Sequence, residues 1–150
     1  LGGLAAPYWD RKARASIQGL SLDTTSAHLV RAAVEAMAFQ TLDIIEKLKD
    51  FSFDSLKVDG GAASSNFLCQ FLSDITGLQV QRPFELERTA LGTAYVAGLS
   101  VGIWNSLEEI SSNWSAERIF EPVAKDSDRE KLKSEWKEAV NRTLIGGIKK

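Results

Sequence analysis

The stretch Leu56-Lys57-Val58-Asp59-Gly60-Gly61-Ala62-Ala63-Ser64-Ser65-Asn66 decides the fold, because it passes from a short strand through two glycines into a helix. Glycine takes positive φ at no steric cost and has no Cβ to hold a ligand away. A helix beginning near Ser64 would add unpaired N–H groups and the positive end of its dipole. Two readings follow: a loop that accepts an anion, or a plain turn, for which Asp-Gly-Gly is also good chemistry. The stretch lacks the Lys-Ser/Thr that completes a Walker A loop and the spaced glycines of G-x-G-x-x-G.

Downstream, Phe67, Leu68, Phe71, Leu72 and Ile75 fall on one helical face, and Gly77 is placed to end that helix. Leu78 to Gln81 alternates like a strand and is expected to stop at Pro83. Thr89 to Gly102 reads as a helix of small side chains, whose Ala90, Ala94 and Gly98 align at four-residue spacing and permit a close neighbour. A short acidic helix is expected over Ser106 to Ile110, then a looser segment around Trp114 and Phe120-Glu121-Pro122. The last helix opens on the capping-box pattern Ser127-Asp128-Arg129-Glu130 and buries Leu132, Trp136, Val140 and Leu144. Residues Ile145 to Lys150 read as a frayed tail.

Upstream, Pro7-Tyr8-Trp9-Asp10 reads as an ordered loop leading to a short extended piece, Ala15 to Leu20. A long helix follows, capped by Thr24, Thr25 or Ser26. Its buried stripe is expected to be Leu29, Ala33, Met37, Thr41, Ile44 and Leu48, beside Val30, Val34, Ala38 and Ile45. Asp43 and Lys47 are expected to pair at i,i+4 on the remaining face. With the strand Ser55 to Val58, the order helix, strand, helix, strand, helix predicts a layered α/β domain.

The 150 residues suffice for one domain. Eighteen basic and 20 acidic side chains leave no broad field for nucleic acid or an anionic membrane, and no apolar run approaches a membrane span. One cysteine and one histidine exclude a disulfide framework and a zinc cluster, which is compatible with a reducing cytoplasm. His28 has no serine or cysteine partner at a catalytic spacing and is read as a local hydrogen-bonding residue of its helix start. Cys69, between apolar neighbours, is read as a buried thiol. Asp59 is read as capping its own loop, with the orientation of a magnesium-bound water as the alternative. A chain opening on Leu1 is expected to be a piece of a longer polypeptide.

Several separated segments together resemble the FGGY carbohydrate kinase family, and within it the glycerol kinases. They are Ala6-Pro7-Tyr8-Trp9-Asp10, Ala15 to Leu20 with His28-Leu29 and Ala32-Ala33-Val34-Glu35, Val58-Asp59-Gly60-Gly61-Ala62, Arg82-Pro83 with Glu87 to Ala94, Phe120-Glu121-Pro122, and Trp136 to Val140. The resemblance implies a ribonuclease H-like domain of the actin-like ATPase superfamily, here the C-terminal, nucleotide-side domain over residues 1–150. It implies transfer of the γ-phosphoryl of MgATP to glycerol, giving glycerol 3-phosphate, with an aspartate accepting the hydroxyl proton. That aspartate and the polyol site are expected upstream of Leu1, so no catalytic residue and no metal ligand is assigned here and the isolated chain is expected to be inactive.

By the same resemblance Gly61 and Ala62 contact ATP or ADP near the ribose and α-phosphate, and Gly60 shapes the turn. The family's asparagine near the adenine falls at Ser65, with Asn66 next, and both are carried as candidate adenine contacts. Serine cannot supply both the donor and the acceptor of an amide. Implied partners are the nucleotide with Mg2+, the N-terminal kinase domain and, in the full enzyme, glycerol; a homo-oligomer is left open. The alternatives are another FGGY kinase such as a xylulokinase, against which Pro7-Tyr8-Trp9-Asp10 argues, and a noncatalytic actin-like module.

Overall fold

The computed structural model describes residues 2–48 and 50–146, with the side chains of residues 145 and 146 left out. In order the elements are α1 (Ser26–Lys47), β1 (Ser55–Lys57), a 3₁₀ turn (Gly61–Ser64), α2 (Asn66–Thr76), β2 (Gln79–Pro83), α3 (Arg88–Ser100), α4 (Leu107–Ser112), β3 (Ala116–Phe120) and α5 (Asp126–Gly146). No described helix is long and apolar enough to cross a membrane.

The sheet is mixed. β1 lies parallel to β2, pairing Leu56 with Val80, and β2 lies antiparallel to β3, pairing Val80 with Phe120. A parallel pair cannot be closed by a tight hairpin, so α2 serves as the crossover. Ser65 caps α2 by accepting from the Leu68 N–H at 3.2 Å, and Gly77 ends it in the left-handed region at φ 72°. β2 runs on through Arg82 and ends at Pro83, the expected stop. Proline is tolerated there because the β1 pairing ends at Gln81 and the β3 register shifts between Arg82 and Pro83.

β3 was expected to be irregular and is instead a strand. Its Glu117, Arg118 and Ile119 are exposed, so no alternation of polar and apolar residues announces it; only Phe120 is buried. Ala15 to Leu20, expected to be extended, belongs to no sheet and crosses α5, where Gln18 Nε2 donates to the Ala139 carbonyl at 3.2 Å.

The core gathers Ala38, Phe39 and Leu42 of α1, Ala63, then Leu68, Cys69, Leu72 and Ile75 of α2, with Val80 and Phe120 from the sheet. Phe39 stacks on Trp136 of α5 at 5.0 Å between ring centroids. Each side chain of this size contributes about 1.5–3 kcal/mol by leaving water. The stripe expected on α1 is displaced in part: Ala38 is buried and Val34 packs on the core as expected, but Leu29, Val30, Met37, Ile44 and Leu48 are exposed, and the buried face is Ala38, Phe39, Leu42 and Asp43. Apolar residues wrap so far around α1 that periodicity alone does not choose the face; Phe39 wins because Trp136 and Phe71 receive its ring. Phe67, assigned to the inner face of α2, is likewise exposed.

Asp43 does not pair with Lys47. It is buried and accepts from the Trp136 indole N–H at 2.8 Å. α5 starts one residue before Ser127, so the expected capping box does not form. The helix is anchored by Arg129, whose Nε donates to the Asp74 carbonyl at 2.7 Å. Its backbone stays helical through Gly146, two residues into the expected tail; residues 147–150 lie outside the described residues.

Candidate functional site

Val58 leaves β1 with its N–H still bonded to the Gln81 carbonyl at 3.1 Å, which holds the incoming chain against the sheet. Gly60 then takes φ 78°, a conformation costly for any residue with a Cβ, and its N–H donates to the Leu86 carbonyl at 3.0 Å. The loop is thereby tied to the connection between β2 and α3. Residues Gly61–Ser64 close a 3₁₀ turn, in which the Ala63 N–H reaches the Gly60 carbonyl at 3.0 Å and Ser64 Oγ donates to the Gly61 carbonyl at 2.7 Å.

Among the described residues, no acceptor meets the N–H of Gly61 or of Ala62. Both residues are exposed, and a Cβ built on Gly60 or Gly61 would meet nothing within 4 Å. Two donors without an acceptor thus lie on exposed residues at the carboxyl end of a parallel strand, a place where α/β sheets receive ligands.

The helix starts two residues later than expected, at Asn66, and this alters the two candidate adenine contacts. Ser65 is the helix cap, its oxygen engaged with Leu68 N–H. Asn66 is exposed, and its Oδ1 accepts from Arg82 Nη1 at 2.9 Å. Asp59 is exposed beside the turn. Gly60, Gly61 and Ala62 therefore form one surface, with Ser65 and Asn66 adjoining it but already hydrogen-bonded.

Arg82 entered the sequence reading only as part of a resemblance, yet its buried guanidinium reaches Ala63, Ser64, Asn66 and Glu117. An arginine inside a strand otherwise alternating toward the core was the available signal. His28 behaves as read: its Nδ1 accepts from the Thr25 N–H at 3.1 Å, closing the start of α1. It also lines an open cavity of about 400 Å³ between residues 17–24 and α1, to which none of residues 58–66 contributes. Cys69 is buried, donates to the Ala63 carbonyl at 3.3 Å, and has its pKa pushed up by burial, which makes it a poor nucleophile.

Residues 1–101 match the C-terminal domain of the FGGY family of carbohydrate kinases. The chain belongs to that family. It is 51% identical over 145 residues to glycerol kinase 2 of Thermotoga maritima, covering 95% of this chain and 29% of that protein. To a glycerol kinase of Caldanaerobacter subterraneus it is 50% identical, with the same coverage. Among solved structures, Plasmodium falciparum glycerol kinase with ADP superposes with a TM-score of 0.81 at 38% identity, over 95% of this chain and 29% of that one. A ligand-bound xylulose kinase from Lactobacillus acidophilus gives 0.74 at 24% identity, over 93% of this chain and 30% of its own, a likeness of fold. The FGGY fold is that of the actin-like ATPase superfamily, as the sequence led us to expect. The chain spans about 29% of the length of the curated relatives it matches.

Proposed function

We propose that this chain is the nucleotide-binding side of a glycerol kinase, with residues 1–150 acting as one domain. Gly60, Gly61 and Ala62 receive ATP or ADP at the ribose and α-phosphate, and Ser65 and Asn66 lie toward the adenine. The polyol site and the aspartate that accepts the glycerol hydroxyl proton belong to the remainder of a relative-length chain, which is also the principal partner of this one. Such an enzyme works where ATP is, in the cytoplasm.

The observation that carries the reading is the pair of free N–H groups on Gly61 and Ala62, beside a backbone with no Cβ and no neighbour above it. Backbone donors of this kind suit a phosphate. The relatives at about 50% identity, which are glycerol kinases, and the Plasmodium falciparum glycerol kinase structure with ADP support the choice of glycerol and nucleotide. Mg2+ enters with the nucleotide phosphates in this reading, and no residue of this chain is assigned to it.

Calorimetry with MgADP tests the site. The wild-type chain is expected to bind and Gly61→Val to lose binding, because the branched side chain occupies the phosphate approach. A Cβ at Gly61 meets no protein atom and its φ is not positive, so the variant should keep its circular dichroism. Unchanged affinity in a folded Gly61→Val chain would remove the assignment.

A further inference from the structure

The guanidinium of Arg82 is engaged at all three nitrogens. Nε donates to Glu117 Oε2 at 2.8 Å, and Nη2 lies 2.7 Å from the same oxygen in an ion pair. Nη1 donates to the Ala63 carbonyl at 3.2 Å, the Ser64 carbonyl at 3.3 Å and Asn66 Oδ1 at 2.9 Å. Those three acceptors lie where the chain leaves the 3₁₀ turn and enters α2. The planar fork of arginine serves a carboxylate on one side and a cluster of carbonyls on the other, which the compact ammonium of lysine cannot do.

We propose that Arg82 is the positioning residue of the nucleotide loop. It fixes the path of residues 63–66, and through them the direction of the free Gly61 and Ala62 N–H groups, without touching the nucleotide. The proposal rests on the nucleotide reading above for its consequence, but not for its mechanics. Space lies open outside Gly60 and Gly61, so no packing on that side holds the loop. The restraint comes from beneath. Gly60 is tied to Leu86, and the far end of the turn is tied through Arg82 to Glu117 on β3. A side chain with every nitrogen committed to protein acceptors is an anchor and not a phosphate ligand.

Two variants of the full 150-residue chain test this, Arg82→Gln and Glu117→Gln, each followed by amide hydrogen exchange and by calorimetry with MgADP and with AMP. In Arg82→Gln, exchange of the Ala63 and Ser65 amides, which are hydrogen-bonded within the turn, should accelerate by at least about tenfold, as expected for losing charge-assisted bonds, while α5 amides keep their rates. The Kd for ADP and for AMP should rise by the same factor, since the loop and not a phosphate contact is altered. Glu117→Gln should move both readouts in the same direction by less. Unchanged loop exchange in a folded Arg82→Gln chain overturns the proposal, and so does a loss for ADP far exceeding that for AMP, which would make Arg82 a β-phosphate ligand. If Arg82→Gln does not fold, Glu117→Gln decides, and wild-type loop exchange in that variant overturns the proposal. If the wild-type chain binds neither nucleotide, the functional reading falls and the exchange comparison alone settles the anchoring role.

Discussion

Asp43 places a carboxylate where water hardly reaches. Burial raises its pKa; the Trp136 indole and the Tyr8 hydroxyl oppose that rise by hydrogen bonding, as Lys137 does by charge, while Glu46 adds to it. Tyr8 responds in turn, its pKa pushed up to about 12 by burial and by the Asp43 carboxylate. A carboxyl whose folded pKa is raised contributes stability at low pH and loses it as pH rises through the folded value. Asp43→Asn keeps the oxygen that Trp136 needs and abolishes the ionisation. Its melting temperature should match wild type near pH 4 and exceed it at pH 7. Each unit of the shift is worth about 1.4 kcal/mol, or roughly 3–6 °C in a chain of this size. A wild type that gains on the variant as pH rises would mean that its hydrogen bonds outweigh burial. Nothing around Asp43 in the sequence marks it as buried, because its partners Tyr8 and Trp136 are brought in from the two ends of the chain.

At the scale of elements, the small-residue row of α3 receives a close neighbour only at Gly98, while Ala90 and Ala94 are exposed. A Cβ on Gly98 would sit 2.1 Å from Trp104 Cζ3, and Trp104 also packs edge-on against Tyr95 at 5.0 Å. Glycine-to-alanine in a helix interior normally stabilises by about 1 kcal/mol. Here the ring must leave Tyr95, so Gly98→Ala should instead cost about 1–3 kcal/mol in urea unfolding; a neutral or positive result would show Trp104 swinging away freely. The elements most legible in the sequence were those with local punctuation: α2 between Ser65 and Gly77, the glycine turn, and the start of α1 at Thr25. The face of α1 and the strand β3 were not legible, because each is chosen by a distant partner. Phe39 is turned inward by Trp136, and β3 is recruited by the open side of β2 and by Ser73 Oγ, which donates to the Phe120 carbonyl at 3.0 Å. The same distance hid Arg82, whose acceptors lie 16 to 19 residues before it and 35 after.

For the whole molecule, the functional reading has a direct corollary. The purified 150-residue chain should make no glycerol 3-phosphate from MgATP and glycerol above the uncatalysed background in a coupled assay, because the proposed base and polyol pocket are not among its residues. Turnover that survives repurification would show that the chemistry is carried here after all. The architecture makes a second point about extent. The family match ends at residue 101, yet Glu117 holds Arg82, Phe120 closes the core over Val80, and Trp136 satisfies Asp43. A chain cut at the end of that match would retain every residue of the glycine loop while exposing an edge of β2 and stranding a buried arginine and a buried aspartate. The boundary by which the family is recognised is therefore not the boundary at which this molecule can be divided, and a minimal nucleotide-binding piece has to be carried through α5.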